Sequence, residues 1–418
     1  LVSVRAVKGT KDILPDESAS WQRVEAAART LFARYGYREV RTPIFEETQL
    51  FARGIGAETD IVSKEMYTFD DRDGSSLTLR PEATAGIVRA VIEHNLINTD
   101  PALKVYAMGP MFRRERPQKG RYRQFHQLDV EAFGYANPMV DVEVIEMALG
   151  FLEACGLRSY ELVLNSVGDA ACRPQYVEVL RAALRANLGK LGEDSQRRTE
   201  TNPLRVLDSK LPEEQELIES LPKIGDHLCG PCREHFAEVK RHLELLGIPY
   251  RLDSRLVRGL DYYVKTTFEV VSGELGAQNS VLGGGRYDGL VRDLGGPDIP
   301  GVGFALGLER LVLILPPVEG ERRCDVFLAP LAAPAIDAAL RLQHDLRASG
   351  LRVLLDPEGR SFKSRMKLAD RLGARFVAIR GDDEIGRGVW SVRDMAGSSQ
   401  EDVPVARVAE HLKERVHG

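Results

Sequence analysis

Between Arg113 and Arg123 the chain places five arginines and one lysine, in the run FRRERPQKGRYRQFHQLDVEAFG (112–134). Cations at that density suit a polyanion, because the planar guanidinium fork makes paired, charge-assisted hydrogen bonds to phosphate oxygens. Behind the loop, polar and apolar residues alternate. Period-two geometry puts Gln127, Asp129 and Glu131 on one face of a strand and Leu128, Val130 and Ala132 on the other. A hairpin with cations at its mouth and carboxylates deeper along one face suits a polyphosphate outside and an ammonium or imidazole within. The phosphate is that of a nucleotide or of a nucleic-acid backbone.

Glycine signatures for nucleotides are missing. No G-x-x-x-x-G-K-[ST] run occurs, and GVGFALG (301–307) carries Leu306 where G-x-G-x-x-G needs its last glycine. A nucleotide bound here is therefore expected on arginines of an antiparallel sheet. CGPCREH (229–235) offers Cys229, Cys232 and His235, and its C-x₂-C pair is half of a zinc site. His227 and His242 are near, but no fourth ligand is evident, so no metal site is expected.

Several elements must position these residues. Helical spacing of Trp21, Val24, Ala28, Leu31 and Phe32 predicts a helix over 19–35. A strand over 38–47 is broken at Pro43, which cannot donate to a ladder. Residues 77–94 read as a strand, a turn at Pro81 and a helix, while 103–113 and 124–134 read as strands flanking the basic loop. A helix over 141–155 and a strand over 161–168 follow. Residues 170–250 are rich in Arg, Glu and Leu and read as a helical insertion. Strands return at 261–271 and 301–306, and 316–323 has the composition of a linker. After it, strands 325–329, 351–355 and 375–380 alternate with helices 334–349 and 361–372, which predicts a small α/β domain with a largely parallel sheet.

A chain of 418 residues has room for two to four domains. No apolar run is long enough to span a bilayer, and residues 1–16 lack the apolar centre of a signal peptide. Five cysteines are few and odd in number, so a reducing, cytoplasmic setting is expected. A pI near 6.0 argues against blanket binding to nucleic acid but leaves room for a local basic patch.

The motifs together are recognisable. GPMFRRERPQKGRYRQFHQLDVEAFG (109–134) resembles motif 2 of the class II aminoacyl-tRNA synthetases, GVGFALGLERLVL (301–313) motif 3, and VRTPIFEE (40–47) motif 1. LVRGLDYYVKTTFEV (256–270) and LGGGRYDGL (282–290) resemble the two signature blocks of the histidyl-tRNA synthetase family, and TLRPEATA (78–85) fits it as well. The resemblance implies an α+β chain: a catalytic domain (1–169 and 251–320) with an antiparallel sheet of six or seven strands, the helical insertion 170–250, and an α/β anticodon-binding domain at 324–418. It implies a homodimer built partly through motif 1. It also implies a two-step reaction of L-histidine, ATP with Mg²⁺, and tRNA(His).

By the same resemblance Arg113 and Arg258 flank the α-phosphate, and Arg121 and Arg310 meet the far phosphates. Glu115 accepts from the adenine. Glu82, Thr84 and Gln127 hold the α-amino group. Glu131 and Tyr263 meet the imidazole, and Tyr262 and Tyr287 line the pocket. Period two would turn Tyr262 and Tyr263 to opposite faces, so only one of them is expected at the imidazole. Arg116, Gln118 and Lys119 fall at the hairpin tip, within reach of a tRNA acceptor end. A pocket that hydrogen-bonds both ring nitrogens rejects isosteres well enough that no editing domain is needed. A second reading is a histidine-binding regulatory subunit of ATP phosphoribosyltransferase. Such chains are expected to lack the C-terminal domain and to have lost the arginines that Arg113, Arg258 and Arg310 represent here. A third, an uncharged-tRNA sensor, needs an effector module, and no segment reads as one.

Overall fold

The computed structural model describes residues 4–56, 59–276, 279–316, 323–397 and 399–417. The chain divides into two compact units, Leu1–Val318 and Glu319–Gly418. The linker expected over 316–323 falls almost wholly outside the described residues.

The first unit is organised by a sheet whose spatial order is Arg38–Glu39, Lys104–Phe112, Gln124–Phe133, Gly301–Gly307, Ser280–Arg286, Val264–Val271, Glu161–Ser166 and Arg251–Leu252. The six inner strands pair antiparallel, and a two-residue strand runs parallel at each edge. One face is apolar. Leu128, Val130 and Ala132 meet Val302, Phe304 and Leu306 there, under two helices. The first helix, Pro15–Arg34, starts at a proline whose missing N–H costs nothing in the first turn, and carries Asp16 and Glu17 at its positive end. It buries Trp21, Val24, Ala28 and Phe32. The second, Pro138–Ala154, is capped by the Asn137 side chain, which accepts from the Met139 N–H.

The strand expected over 38–47 becomes two short strands in different sheets. Arg38–Glu39 joins the main sheet, and Phe45–Glu47 joins a three-stranded sheet with Ser76–Leu79 and Tyr67–Asp70. Between the strands Glu161–Ser166 and Arg251–Leu252 the described chain contains helices only, gathered around a core of Tyr176, Leu180, Leu184, Val206, Ile218 and Cys232. Asp141, fully buried, ties this insertion to the sheet. It pairs with the buried Arg286, and its Oδ1 lies 3.2 Å from His235 Nε2.

The second unit carries a five-stranded sheet in the order Val353–Leu355, Val326–Pro330, Phe376–Arg380, Val389–Asp394, Gln400–Pro404. The first three strands are parallel, as expected. The last two form an antiparallel extension, so the sheet is mixed and not largely parallel. In that hairpin Trp390, Val392 and Val403 are buried in the core of the unit. Among the described residues no helix is long and apolar enough to cross a membrane.

Candidate active site

The open face of the main sheet holds two adjoining clefts of about 150 Å³ each. Arg113, Gln127, Arg258 and Ala305 belong to the walls of both.

The inner cleft is a slot of buried acids. Gln127, Asp129 and Glu131 all face it from the strand Gln124–Phe133, as alternation predicts. Glu131 accepts from the Thr84 hydroxyl at 2.6 Å and from the Tyr287 hydroxyl. Gly303 sits directly opposite Glu131 in the sheet, and a Cβ there would lie 2.0 Å from Glu131 Oε2 and 2.1 Å from the Val130 carbonyl oxygen. Only a glycine lets the carboxylate lie down over its neighbour strand. Glu82 accepts N–H bonds from Thr84 and Ala85, each at 2.9 Å, at the start of the helix Thr84–Glu93. Neither oxygen of Asp129 has a hydrogen-bond partner, and neither does Gln127 Oε1. Buried acceptors without donors are costly, so this slot awaits a ligand rich in N–H groups.

Electrostatics agree. Burial pushes Glu131 up to about 8, against the hydrogen bonds from Thr84 and Tyr287. Burial, then repulsion from Glu131 and Glu82, pushes Asp129 well above the usual carboxylate range. Burial raises Glu82 too. A cationic ligand would reverse these shifts by favouring the ionised acids.

Tyr262 and Tyr263 both line the slot, with ring centroids 4.8 Å apart, and Tyr262 meets Tyr287 edge-on at 5.7 Å. The expectation of opposite faces fails because the strand begins at Val264 and both tyrosines lie on the turn before it. Period two applies only inside a strand.

The outer cleft gathers cations from three distant segments: Arg113 and Arg121 from the hairpin, Arg258 from the turn before Val264–Val271, and Arg310 from the helix Leu308–Ile314. Burial and the neighbouring Arg121 lower the Arg310 pKa. Arg113 Nε donates to the Pro81 carbonyl at 2.8 Å and its guanidinium stands 5.2 Å from the Phe125 ring centre. Glu115 takes Arg121 at 3.1 Å and faces Arg113 at 3.9 Å. The Arg258 guanidinium lies flat on Gly283, where a Cβ would come within 2.2 Å of it, and donates to Glu269 at 3.0 Å. At the hairpin tip, Arg116, Gln118 and Lys119 are exposed, and Gln118 pairs with Arg121 across the turn.

Two residues of this site were not assigned from sequence. Asp129 was placed on the correct face but given no task. Glu269, the partner of Arg258, is the one acid in the otherwise neutral run TTFEVV (266–271), a signal that was there to be read.

The chain matches the family described as histidyl-tRNA synthetase over residues 9–311. It belongs to that family. An anticodon binding domain matches over residues 314–415. The histidine–tRNA ligase of Solibacter usitatus is 53% identical over 410 residues, covering 98% of this chain and 99% of its own. That of Syntrophotalea carbinolica is 49% identical over 422 residues, covering 100% of both. Among solved structures, the apo histidyl-tRNA synthetase of S. aureus superposes with a TM-score of 0.82 at 38% identity, over 98% of this chain and 100% of that one.

Proposed function

We propose that the chain charges tRNA(His) in two steps on this face. The histidine carboxylate oxygen attacks the α-phosphorus of ATP, the bond to the β-phosphate oxygen breaks, and pyrophosphate leaves. A hydroxyl of the 3′-terminal adenosine of tRNA then attacks the histidyl carbonyl, and AMP leaves. The first step concentrates charge on phosphate oxygens, so the protein's contribution is positioning and electrostatic stabilisation.

The observation that carries this reading is the convergence of Arg113, Arg258, Arg121 and Arg310 beside a slot of buried, donor-hungry acids. In it Arg113 and Arg258, shared by both clefts, sit over the α-phosphate. Arg121 and Arg310 take the far phosphates and Glu115 the adenine amino group. Glu82, Thr84 and Gln127 receive the α-amino group. Glu131 and Tyr263 receive the imidazole, and Tyr262 and Tyr287 close the slot. Mg²⁺ enters with the nucleotide. The carboxylates that line the outer cleft, Glu115 and Glu309, each already pair with an arginine or a histidine, so the phosphates would supply much of its ligation.

The exposed tip, with Arg116, Gln118 and Lys119, reaches toward the acceptor end, and residues 324–418 toward the anticodon. The remaining division, a catalytic part at 1–169 and 251–320 with an insertion at 170–250, follows the sheet and the helical core. A homodimer is supported by Ile44 and Phe45, 43% and 50% exposed in the motif 1 segment. A cytoplasmic setting follows from where charged tRNA is used.

Histidine-dependent exchange of label between pyrophosphate and ATP tests the reading. It is expected with histidine and lost without it. Histidine binding without exchange would favour a regulatory subunit instead.

A further inference from the structure

At the root of the insertion four donor groups meet. Asp169 and Cys172 follow the strand Glu161–Ser166, and Cys229 and Cys232 lie at the start of the helix Gly230–Leu245. Their donor atoms all lie within 4.8 Å of one another. In sequence the two pairs have the same form, D-x₂-C and C-x₂-C. His235, the last residue of CGPCREH, is not among them, because it is committed to Asp141.

Three of the six donor spacings match those around a tetrahedral ion, and the rest lie within 4.8 Å. Zinc–sulfur bonds of about 2.3 Å at tetrahedral angles set sulfurs about 3.8 Å apart, and sulfur and carboxylate oxygen about 3.6 Å apart. Here Cys172 Sγ and Cys232 Sγ are separated by 3.9 Å, and Asp169 Oδ1 lies 3.5 Å from Cys172 Sγ and 3.8 Å from Cys229 Sγ. A disulfide would need sulfurs at about 2.05 Å, and all of these cysteines are free.

The surroundings supply positive charge. Cys172 caps the helix Arg173–Arg185 and Cys229 caps Gly230–Leu245, so both sit at positive helix ends. Arg173 supplies a cation beside them. Gly168, at φ +62°, comes so close that a Cβ there would stand 2.8 Å from Cys172 Sγ. Three thiolates and one carboxylate, with no place left for water or substrate, make a closed structural set for a borderline-soft ion.

We propose that Asp169, Cys172, Cys229 and Cys232 form a structural zinc site that fastens the entry of the insertion to its exit. The clamp borders the slot. Arg173 donates to the carbonyls of Val167, Gly168 and Tyr263, so the residue next to Cys172 holds the backbone of a slot tyrosine. Zinc binding itself does not depend on what the clefts turn over.

Metal analysis of the untagged full chain, grown with zinc, should find about one zinc per chain. Cobalt exchanged into the protein should give sulfur-to-cobalt charge-transfer bands and the intense visible bands of a tetrahedral ion. The C229S/C232S double variant should lose both, while C155A, whose thiol lies in the sheet core, should keep both. Zinc below roughly a tenth of an equivalent with no cobalt–thiolate bands would overturn the proposal. So would zinc content unchanged in C229S/C232S, or a Cys172–Cys232 disulfide in freshly prepared protein. If the double variant does not fold, the metal content and cobalt spectrum of the unaltered chain decide the matter alone.

Discussion

Glu131→Gln separates the chemistry of the slot from its shape. Glutamine keeps the length but cannot ionise; its oxygen accepts from one of the Thr84 and Tyr287 hydroxyls, and its NH2 must donate to the other. Burial raises Glu131 from 4.5 to about 8. Between those values the folded chain holds a proton that the unfolded chain has lost, so stability falls as pH rises through that window. Below it both states are protonated, and above it both are ionised, so the slope vanishes at either end. A shift of this size amounts to about 5 kcal/mol in full at 1.36 kcal/mol per unit, of which about 3–4 falls between pH 5 and 8. The variant should therefore gain on the wild type by about that much over this range.

Two tryptophans make the assay specific: Trp21 lies in the first unit and Trp390 in the second. In a Trp390→Phe background, urea unfolding followed by Trp21 fluorescence reports the sheet that carries Glu131. A stability difference between Gln and Glu that stays constant from pH 5 to 8 would refute the reasoning. Histidine-dependent exchange should be lost in the same variant, because the slot can no longer offer a carboxylate to the imidazole.

Arg258→Ala should lower the rate of histidine-dependent pyrophosphate exchange by about 10²–10³, the cost of one well-placed donor to a developing oxyanion, as rapid-quench measurement of adenylate formation would register. Arg116→Ala with Lys119→Ala should leave that exchange within about threefold. It should also flatten the dependence of tRNA affinity on log salt by roughly 0.9 for each phosphate no longer neutralised, read by filter binding across a salt series. Gly303→Ala places a methyl group against the Val130 carbonyl and Glu131, where backbone cannot move aside. A loss of about 1–3 kcal/mol in urea unfolding, or more, is expected. Asp141→Asn leaves the fully buried Arg286 with Asp288 alone as its charge partner and should cost up to about 3–5 kcal/mol in the same measurement.

What the sequence made legible was what periodicity and charge express. The alternation Gln127, Asp129, Glu131 against Leu128, Val130, Ala132 fixed both faces of a strand, and the arginine density marked its mouth. The strand Ser280–Arg286 was not legible by pattern. SVLGGGR has three consecutive glycines, so no side chain alternates, and the physical reason lies across the sheet, where the Arg258 side chain and neighbouring backbone occupy the space. The pairing of Tyr262 with Tyr263 was misjudged because a strand period was extended into the turn before it. The Asp169 cluster was missed because its halves are separated by the whole insertion, and spacing within each half says nothing about which halves meet.

The cleft also has a cost built into it that bears on how ATP enters. Every arginine that would hold phosphate needs an anion while the nucleotide is away, since crowded cations repel; the lowered pKa of Arg310, set by burial and then by Arg121, carries that repulsion. Glu115 answers it for Arg121 and Arg113, and Glu269 for Arg258. These carboxylates keep the guanidinium groups in place without a ligand, which spares the ordering cost at binding. Phosphate must then displace or share them. Glu269 can be shared, since Arg258 pairs with it through Nη1 alone and its Nε has no partner. Glu115 holds Arg121 through Oε2, so in the role proposed for it the carboxylate would be shared between Arg121 and the adenine amino group. The two acids are thus different devices. Removing Glu269 should loosen Arg258 and slow the chemical step, whereas removing Glu115 should free Arg121 and act chiefly on nucleotide affinity. Separate measurement of kcat and the KM for ATP in Glu269→Gln and Glu115→Gln distinguishes them, and equal effects of both variants on both constants would refute the distinction.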